Sequence, residues 1–207
     1  MASTFLPPGP LSMRFRLLGL LPLSFFFAQG VHYYLIHQLG HMFWMCNIGN
    51  LLLAIGLFLD RPGLIRIAGI WSITGLFVWG RFILPQWFHY ATLDWGAVVS
   101  GTLAHVGGVT VGFLALHRVR VDKSTWLYSF FWYLLLQVIS RLATAPDLNV
   151  NVSHKIYEGW EQSFGAYWKF WVAMTIAVAA CLWLLAWVLK KLWPPFATID
   201  GQSEEPS

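Results

Sequence analysis

The stretch of sequence that decides the fold is residues 42–84, MFWMCNIGNLLLAIGLFLDRPGLIRIAGIWSITGLFVWGRFIL. It contains two long apolar runs, Met42–Leu59 and Leu64–Leu84, which are separated by Asp60-Arg61-Pro62-Gly63. A charged pair followed by proline and glycine is a strong helix stop signal. Each run is about as long as a helix must be to cross the hydrocarbon core of a bilayer. The stretch therefore predicts two membrane-spanning helices joined by a tight turn.

Four further apolar runs of similar length lie in the rest of the chain: Leu17–Ile36, Trp95–His117, Ser124–Ser140 and Phe170–Val188. Of the 207 residues, 57% are hydrophobic and 11% are charged, whereas a soluble domain carries about 25% charged residues. We therefore expect an all-α fold, a polytopic membrane helix bundle of about six transmembrane helices over residues 17–193. Residues 1–16 are expected to be a cytoplasmic lead-in and residues 194–207 a disordered cytoplasmic tail.

Charged residues are distributed unequally between the two ends of these runs. If the N-terminus is cytoplasmic, the cytoplasmic side receives most of the basic residues: Arg14, Arg16, Arg61, Arg66, Arg118, Arg120, Lys123, Lys190 and Lys191. The outward side receives fewer, mixed with acidic residues: Arg81, Arg141, Lys155 and Lys169. The positive-inside rule therefore predicts a protein of the cell (inner) membrane with both termini cytoplasmic. This asymmetry accounts for the net charge of +4, so no nucleic-acid partner is predicted.

Polar residues concentrate toward the predicted outward face. Most histidines fall on or near it: His32, His37, His41, His89 and His154. The first apolar run is also the least regular, because Pro22, Gln29 and His32 interrupt it. Any polar chemistry of this protein is therefore expected to face outward.

One candidate nucleophile lies near the start of the second run. Cys46 belongs to the segment Met45-Cys46-Asn47-Ile48-Gly49-Asn50, and Asn50 lies one helical turn further along the same face. A cysteine needs a neighbouring base to act as a nucleophile; otherwise it packs like a small hydrophobic residue. The second cysteine, Cys181, has only apolar neighbours along the chain and is interpreted as packing.

A candidate base lies in the fourth run. His105 is near the centre of that run, on the face that carries Gly101, Gly108 and Gly112, and this small-residue face predicts close packing against another helix. Depth raises a difficulty for pairing it with the cysteine, which boundary errors of a few residues could close. At 1.5 Å per residue, His105 lies about 15 Å from the predicted helix start, and Cys46 lies about 6 Å from its own.

Two histidines are candidate metal ligands. His37 and His41 have the i, i+4 spacing that would place both rings on one helical face, and Cys46 or His154 could complete a site. Gly40, between them, would break such a helix. Two interfacial histidines without a metal are the alternative interpretation, and no bound cofactor is predicted. Asp94 could orient a histidine or pair with Arg81.

The order of these features resembles a known family. A cysteine begins an apolar helix in Cys46-Asn47-Ile48-Gly49-Asn50, and Leu103-Ala104-His105-Val106-Gly107 places a histidine in a helix rich in small residues. Over residues 40–190 the chain is similar to the YwaF-like integral-membrane family, which includes an animal acyltransferase acting on ether phospholipids. The resemblance implies a bundle of six or seven helices in which Cys46 and His105 carry an acyl-thioester reaction. The later asparagine-aromatic signature of that family is reduced here to Leu148-Asn149-Val150-Asn151.

Three hypotheses follow for function. In the first, the protein modifies membrane lipids: Cys46 attacks an ester carbonyl, His105 acts as base and then acid, and Asn47 or Asn50 donates a hydrogen bond to the oxyanion. In the second, it is a non-catalytic accessory subunit whose partners are other membrane proteins. In the third, His37, His41 and His105 bind a metal ion or haem.

Overall fold

The computed structural model describes residues 9–87 and 94–195, with side chains described except at positions 78 and 81–87. These residues form helices and connecting loops, and no β-strand occurs among them. The predictions about His89 and about the side chain of Arg81 lie outside the described part of the chain. The same holds for residues 1–8 of the lead-in and 196–207 of the tail.

The described α-helices are α1 (Met13–Leu17), α2 (Leu20–Leu35), α3 (Met45–Phe58), α4 (Pro62–Trp87), α5 (Trp95–Thr102), α6 (Gly108–Val119), α7 (Thr125–Ala143), α8 (Glu161–Phe164) and α9 (Tyr167–Leu192). A π-helical turn, Leu103–Gly107, joins α5 to α6. Two 3₁₀ segments, Leu39–Phe43 and Val150–Val152, lie in the connections that follow α2 and α7.

Each of the six predicted apolar runs contains a helix, with boundaries shifted by a few residues. The first helix begins inside the predicted lead-in, at Met13. The predicted turn is confirmed, since α3 ends at Phe58 and α4 begins at Pro62. Between them, Asp60 adopts a left-handed conformation with φ 52° and the N–H of Arg61 donates to the carbonyl of Gly56 at 2.8 Å. This geometry satisfies a carbonyl that the end of a helix leaves without an intrahelical partner.

Three helical segments of the described chain are long and apolar enough to cross a membrane: Met13–Leu35, Trp95–Val119 and Tyr167–Leu192. Two shorter apolar helical segments, Met45–Phe58 and Pro62–Phe77, accompany them. Large apolar side chains are exposed on the outside of the bundle, including Phe77 at 68% and Ile176 at 63%. Exposed apolar area on this scale is unusual for a soluble monomer and suits a surface in contact with hydrocarbon. These are the features of a helical membrane protein.

Helix α4 is the central element of the bundle and packs against α3, α6, α7 and α9. Its Trp71 is fully buried, and the indole N–H donates to the carbonyl of Ser129 at 3.2 Å. On another face, Gly69 lies against Gly112 of α6, where an added Cβ on Gly112 would stand 3.4 Å from the Gly69 Cα. The predicted close approach along the glycine face of the fourth run is therefore confirmed. A Cβ on Gly69 would stand 2.7 Å from the side chain of Leu116 in α6, so a larger residue there would displace that leucine.

The longest described connection, between α7 and α9, folds back onto the bundle through the side chain of Asn151. This asparagine is only 3% exposed and has φ 52°, a left-handed conformation that asparagine tolerates better than most residues. Its Oδ1 accepts from the N–H of Met45 at 3.0 Å, and its Nδ2 donates to the carbonyl of Phe43 at 2.7 Å and to Oγ of Ser140 at 2.9 Å. One buried amide therefore joins the loop, α7 and the start of α3.

Replacing Asn151 tests this arrangement. In Asn151→Ala, a buried N–H and a buried carbonyl lose their partner, each at a cost of about 1–3 kcal/mol. We expect a drop of at least about 2 kcal/mol in the free energy of unfolding, measured by thermal or denaturant unfolding in detergent micelles. The matched control is Gln162→Ala, which removes an amide from an exposed position of α8. An equal effect of the two substitutions would contradict the anchoring role of Asn151.

Candidate functional site

The main candidate site is a cavity of about 640 Å³ near the end of α2 and the start of α3. Its walls also include parts of α4, α5 and the π-turn. Polar side chains line it together with aromatic ones: Gln29, His32, Tyr33, His41, Trp44, Trp79 and Asp94. Cys46 and His105 line the same cavity. An apolar cavity with a few converging polar groups is the usual form of a small-molecule or lipid site.

Cys46 and His105 meet across Gly75 of α4. A Cβ placed on Gly75 would stand 2.7 Å from the Cβ of Cys46 and 3.5 Å from Cδ2 of His105. Both atoms therefore lie within 4 Å of a single point, and they can be no farther apart than those two distances added. The absence of a side chain on Gly75 lets the Cys46 turn of α3 approach α4 closely, beside the histidine.

The depth argument from the sequence, which separated these two residues, is wrong because the helices are staggered along the bundle. Helix α5 packs against α2, whereas α3 contacts the π-turn and α6. Helix α5, which forms the first two turns of the fourth run, thus extends past the first residue of α3 along the bundle axis. For this reason His105, eleven residues into its span, lies level with Cys46, the second residue of α3.

The ring of His105 is held in one orientation within the π-turn. Its Nδ1 lies 2.8 Å from the carbonyl oxygen of Gly101. Because a carbonyl only accepts hydrogen bonds, Nδ1 must carry the proton, and in the neutral ring Nε2 is an unprotonated base. The indole of Trp79 stacks on the ring with centroids 5.7 Å apart. A π-turn within an α-helix often marks a functional site, and here it carries the one histidine that faces Cys46 across Gly75.

Asn50 and Asn47 have structural partners, which does not support their predicted role as oxyanion donors. Asn50 is 1% exposed, and its Nδ2 donates to the carbonyls of Cys46 at 3.1 Å and Ala104 at 3.0 Å, which uses both amide hydrogens. Asn50 therefore connects the first turn of α3, which contains Cys46, to the π-turn, which contains His105. Asn47 donates from Nδ2 to the carbonyl of His41 at 2.9 Å, and it does not contribute to the described cavity wall.

His41 stands in the 3₁₀ segment directly before α3 and lines the cavity. Its Nδ1 accepts a hydrogen bond from the indole N–H of Trp44 at 3.0 Å. Burial lowers the pKa of His41 below its ordinary value, and the carboxylate of Asp147 opposes this only in part. His41 is therefore a neutral imidazole near pH 7.

The proposed pairing of His37 with His41 on one helical face is wrong. Helix α2 ends at Leu35, and His37 adopts a left-handed conformation with φ 58°, so no helix connects the two residues. Within the described chain, no three histidine, cysteine, aspartate or glutamate side chains come close enough together to hold a metal ion. The i, i+4 helical pairing that the spacing of His37 and His41 suggested is thus absent.

Several cavity residues were not identified as site residues from the sequence, among them Gln29, His32, Tyr33 and Trp79. The first three are spaced at i, i+3 and i+4 along α2, which places them on one face. In the sequence, Gln29 and His32 are visible as polar residues that interrupt the first apolar run. Asp94 caps α5 by accepting from the N–H of Ala97 at 3.1 Å and lies 3.9 Å from Nε2 of His32.

No known family model, curated protein or solved structure matches this chain. The interpretation of the site consequently rests on its own geometry. That geometry comprises a thiol and an unprotonated imidazole nitrogen on the wall of one cavity, with three aromatic side chains beside them.

The close approach of α3 to α4 at Gly75 gives a direct test. In Gly75→Ala the new methyl group would overlap the Cβ of Cys46, which cannot rotate away, so α3 and α4 must separate at a cost of about 1–3 kcal/mol. We expect slower alkylation of Cys46 by iodoacetamide, because the thiol moves away from His105. The matched control is Gly80→Ala on the same helix, where nothing lies within 4 Å, and we expect it to leave the rate unchanged. Equal rates in the two variants would contradict the described contact.

Proposed function

We propose that this chain is a multi-pass protein of the cell (inner) membrane that transfers or hydrolyses lipid acyl groups through Cys46 and His105. Six helices, α2, α3, α4, the continuous span from Trp95 to Val119, α7 and α9, would cross the bilayer. Both termini would be cytoplasmic, so the cavity would open toward the outer leaflet. The observation that carries the proposal is the meeting of a cysteine and a suitably oriented histidine at Gly75.

The composition of the cavity supports a lipid substrate. Apolar atoms form most of the area of its wall, which suits an acyl chain. The thiol and the imidazole provide polar groups for the ester, and Asp94 lies farther along the cavity wall, at the start of α5 beside His32. The resemblance of the Cys46 and His105 segments to the YwaF-like family, with its lipid acyltransferase, is in line with this proposal.

The first half-reaction forms a thioester. Nε2 of His105 takes the proton from Sγ of Cys46, and the sulfur attacks the ester carbonyl carbon of a phospholipid. The carbonyl electron pair moves to oxygen and gives a tetrahedral oxyanion. When that pair returns, the bond to the glycerol oxygen breaks, and this oxygen takes the proton from His105. The products are an acyl-Cys46 thioester and a lysophospholipid.

The second half-reaction regenerates the free thiol. His105 takes a proton from the hydroxyl of an acceptor, either a lysolipid or water, and the acceptor oxygen attacks the thioester carbonyl. The carbon–sulfur bond breaks and the thiolate of Cys46 recovers the proton from His105. A lysolipid acceptor makes the overall reaction an acyl transfer, and water makes it a hydrolysis.

The thioester provides the decisive test. Protein reconstituted in vesicles that contain a phospholipid with a fluorescent acyl chain should acquire a label that neutral hydroxylamine releases. Cys46→Ser should abolish this hydroxylamine-sensitive label, and His105→Ala should slow its appearance by about 10²–10⁴-fold. Cys181→Ser is the matched control, since Cys181 lies on α9 away from the cavity. Labelling that persists in Cys46→Ser would refute the enzyme and leave the accessory-subunit hypothesis.

The orientation is tested separately with single cysteines in a Cys46→Ser, Cys181→Ser background. Gln162→Cys, in the loop before α9, should react with a membrane-impermeant maleimide added to intact cells. Lys123→Cys, between α6 and α7, should react only after the membrane is permeabilised. Both side chains are exposed, so burial does not limit either reaction. The reverse pattern would overturn the predicted orientation.

A further inference from the structure

The proposed acyl chemistry requires a hydrogen-bond donor that the predicted site residues do not supply. Attack on an ester builds negative charge on the former carbonyl oxygen, and donors aimed at that charge are usually the largest source of catalysis. Asn50 has no amide hydrogen left, and Asn47 is outside the cavity wall. The donor must therefore come from another group that lines the cavity close to Cys46.

One backbone donor is available at the cysteine itself. The first turn of any helix has N–H groups without intrahelical acceptors. In α3, the N–H of Met45 donates to Asn151, and those of Asn47 and Ile48 donate to the carbonyl of Trp44. The N–H of Cys46 contacts its own sulfur in the described structure, so it has no carbonyl acceptor to lose when it binds an oxyanion. An oxyanion can accept more than one hydrogen bond, so a single backbone donor at the nucleophile leaves a position for a second donor.

We propose that His41 supplies the second donor, acting as a neutral electrophile that holds the oxyanion through Nε2–H. This inference rests on the acyl chemistry proposed above and adds a third catalytic side chain to it. His41 precedes Cys46 by five residues, and both side chains line the same cavity.

The tautomer of His41 follows from its contact with Trp44. An indole N–H can only donate, so Nδ1 of His41, at 3.0 Å, must accept and carries no proton. The single proton of the neutral ring is then on Nε2. His105 has the opposite tautomer, because its Nδ1 donates to the carbonyl of Gly101. The cavity thus contains one imidazole whose free nitrogen is a base and one whose free nitrogen is a donor.

His41 is held in place from three sides. The Trp44 ring lies nearly parallel to it, with centroids 6.4 Å apart, and the Tyr33 ring lies 5.2 Å away. The amide of Asn47 fixes its carbonyl at 2.9 Å. Burial lowers the pKa of His41, so that the ring stays neutral and keeps Nδ1 free to accept from Trp44. A neutral imidazole in a fixed orientation stabilises developing negative charge without first transferring its proton.

The comparison of two reactions of Cys46 tests this role. Acylation by the p-nitrophenyl ester of a short fatty acid passes through a tetrahedral oxyanion, whereas alkylation by iodoacetamide displaces iodide and forms none. His41→Ala should slow acylation by about 10²–10³-fold, the loss typical of one oxyanion donor, and leave alkylation unchanged. His105→Ala should slow both reactions, since each requires the thiolate.

Three further variants keep the test decisive. His41→Gln retains an N–H donor and should lose less acylation activity than His41→Ala. Trp44→Phe removes the bond that fixes the tautomer and should slow acylation but not alkylation. His37→Ala is the matched control, an exposed histidine of the same connection, and should change neither rate.

The inference is overturned if His41→Ala slows both reactions equally, because that pattern indicates displacement of Cys46. It is also overturned if acylation is unaffected, or if Tyr33→Phe produces the selective loss and His41→Gln does not. Wild-type protein that is alkylated but never acylated would instead refute the acyl chemistry itself. The two failures are thereby distinguishable.

Discussion

The amide of Asn151 determines where α3 begins, and the candidate site depends on that position. Its hydrogen bonds to Met45 and Phe43 hold the two residues at the junction of the 3₁₀ segment and the helix. A shift of α3 by one residue, so that a neighbour of Cys46 took its place along the axis, would turn Cys46 by about 100° and away from Gly75. The constraint is strong because the interior offers no water to replace a lost partner of a buried polar group.

The candidate site also requires that the backbones of neighbouring helices approach each other closely. Helix α4 presents Gly69 to α6 and Gly75 to the Cys46 turn of α3, and these two missing side chains bring three helices together. Asn50 extends this arrangement, since its amide reaches from α3 to the carbonyl of Ala104 in the π-turn. Hydrogen bonds across glycine-lined contacts, together with apolar packing, therefore hold the thiol and the imidazole in register.

The sequence predicted the helices well because membrane-length apolar runs are a strong local signal. Residues 42–84 gave both helices and the turn between them with errors of about three residues, and the glycine face of the fourth run was assigned its correct role. The sequence did not predict how far each helix is displaced along the bundle axis relative to its neighbours, since the length of an apolar run contains no information on that displacement. The pairing of Cys46 and His105 was therefore judged geometrically difficult, although the two residues are neighbours.

The polar side chains were harder to assign, for a related reason. Asn47 and Asn50 were visible as polar residues in an apolar helix, but the partners of Asn50 and Asn151 include carbonyls from distant parts of the chain. The i, i+4 spacing of His37 and His41 suggested a helix that a left-handed residue at position 37 excludes. The significance of His41 depends on Trp44, and a hydrogen bond between two side chains in an irregular segment has no periodic signature.

The π-turn between α5 and α6 has a geometric consequence for this whole span. An extra residue in one helical turn shifts the angular position of everything that follows by about 100°. Ahead of the turn, Gly101 faces Trp79 at the cavity; after it, Gly108 faces Asn50 and Gly112 faces Gly69 in the core. The parts of the span before and after the turn therefore face different neighbours: α5 faces the cavity, and α6 faces the core. Deleting a single residue between them would give one uninterrupted α-helix. Such a helix could not keep the contacts with the cavity residues and the contacts with the core residues at the same time.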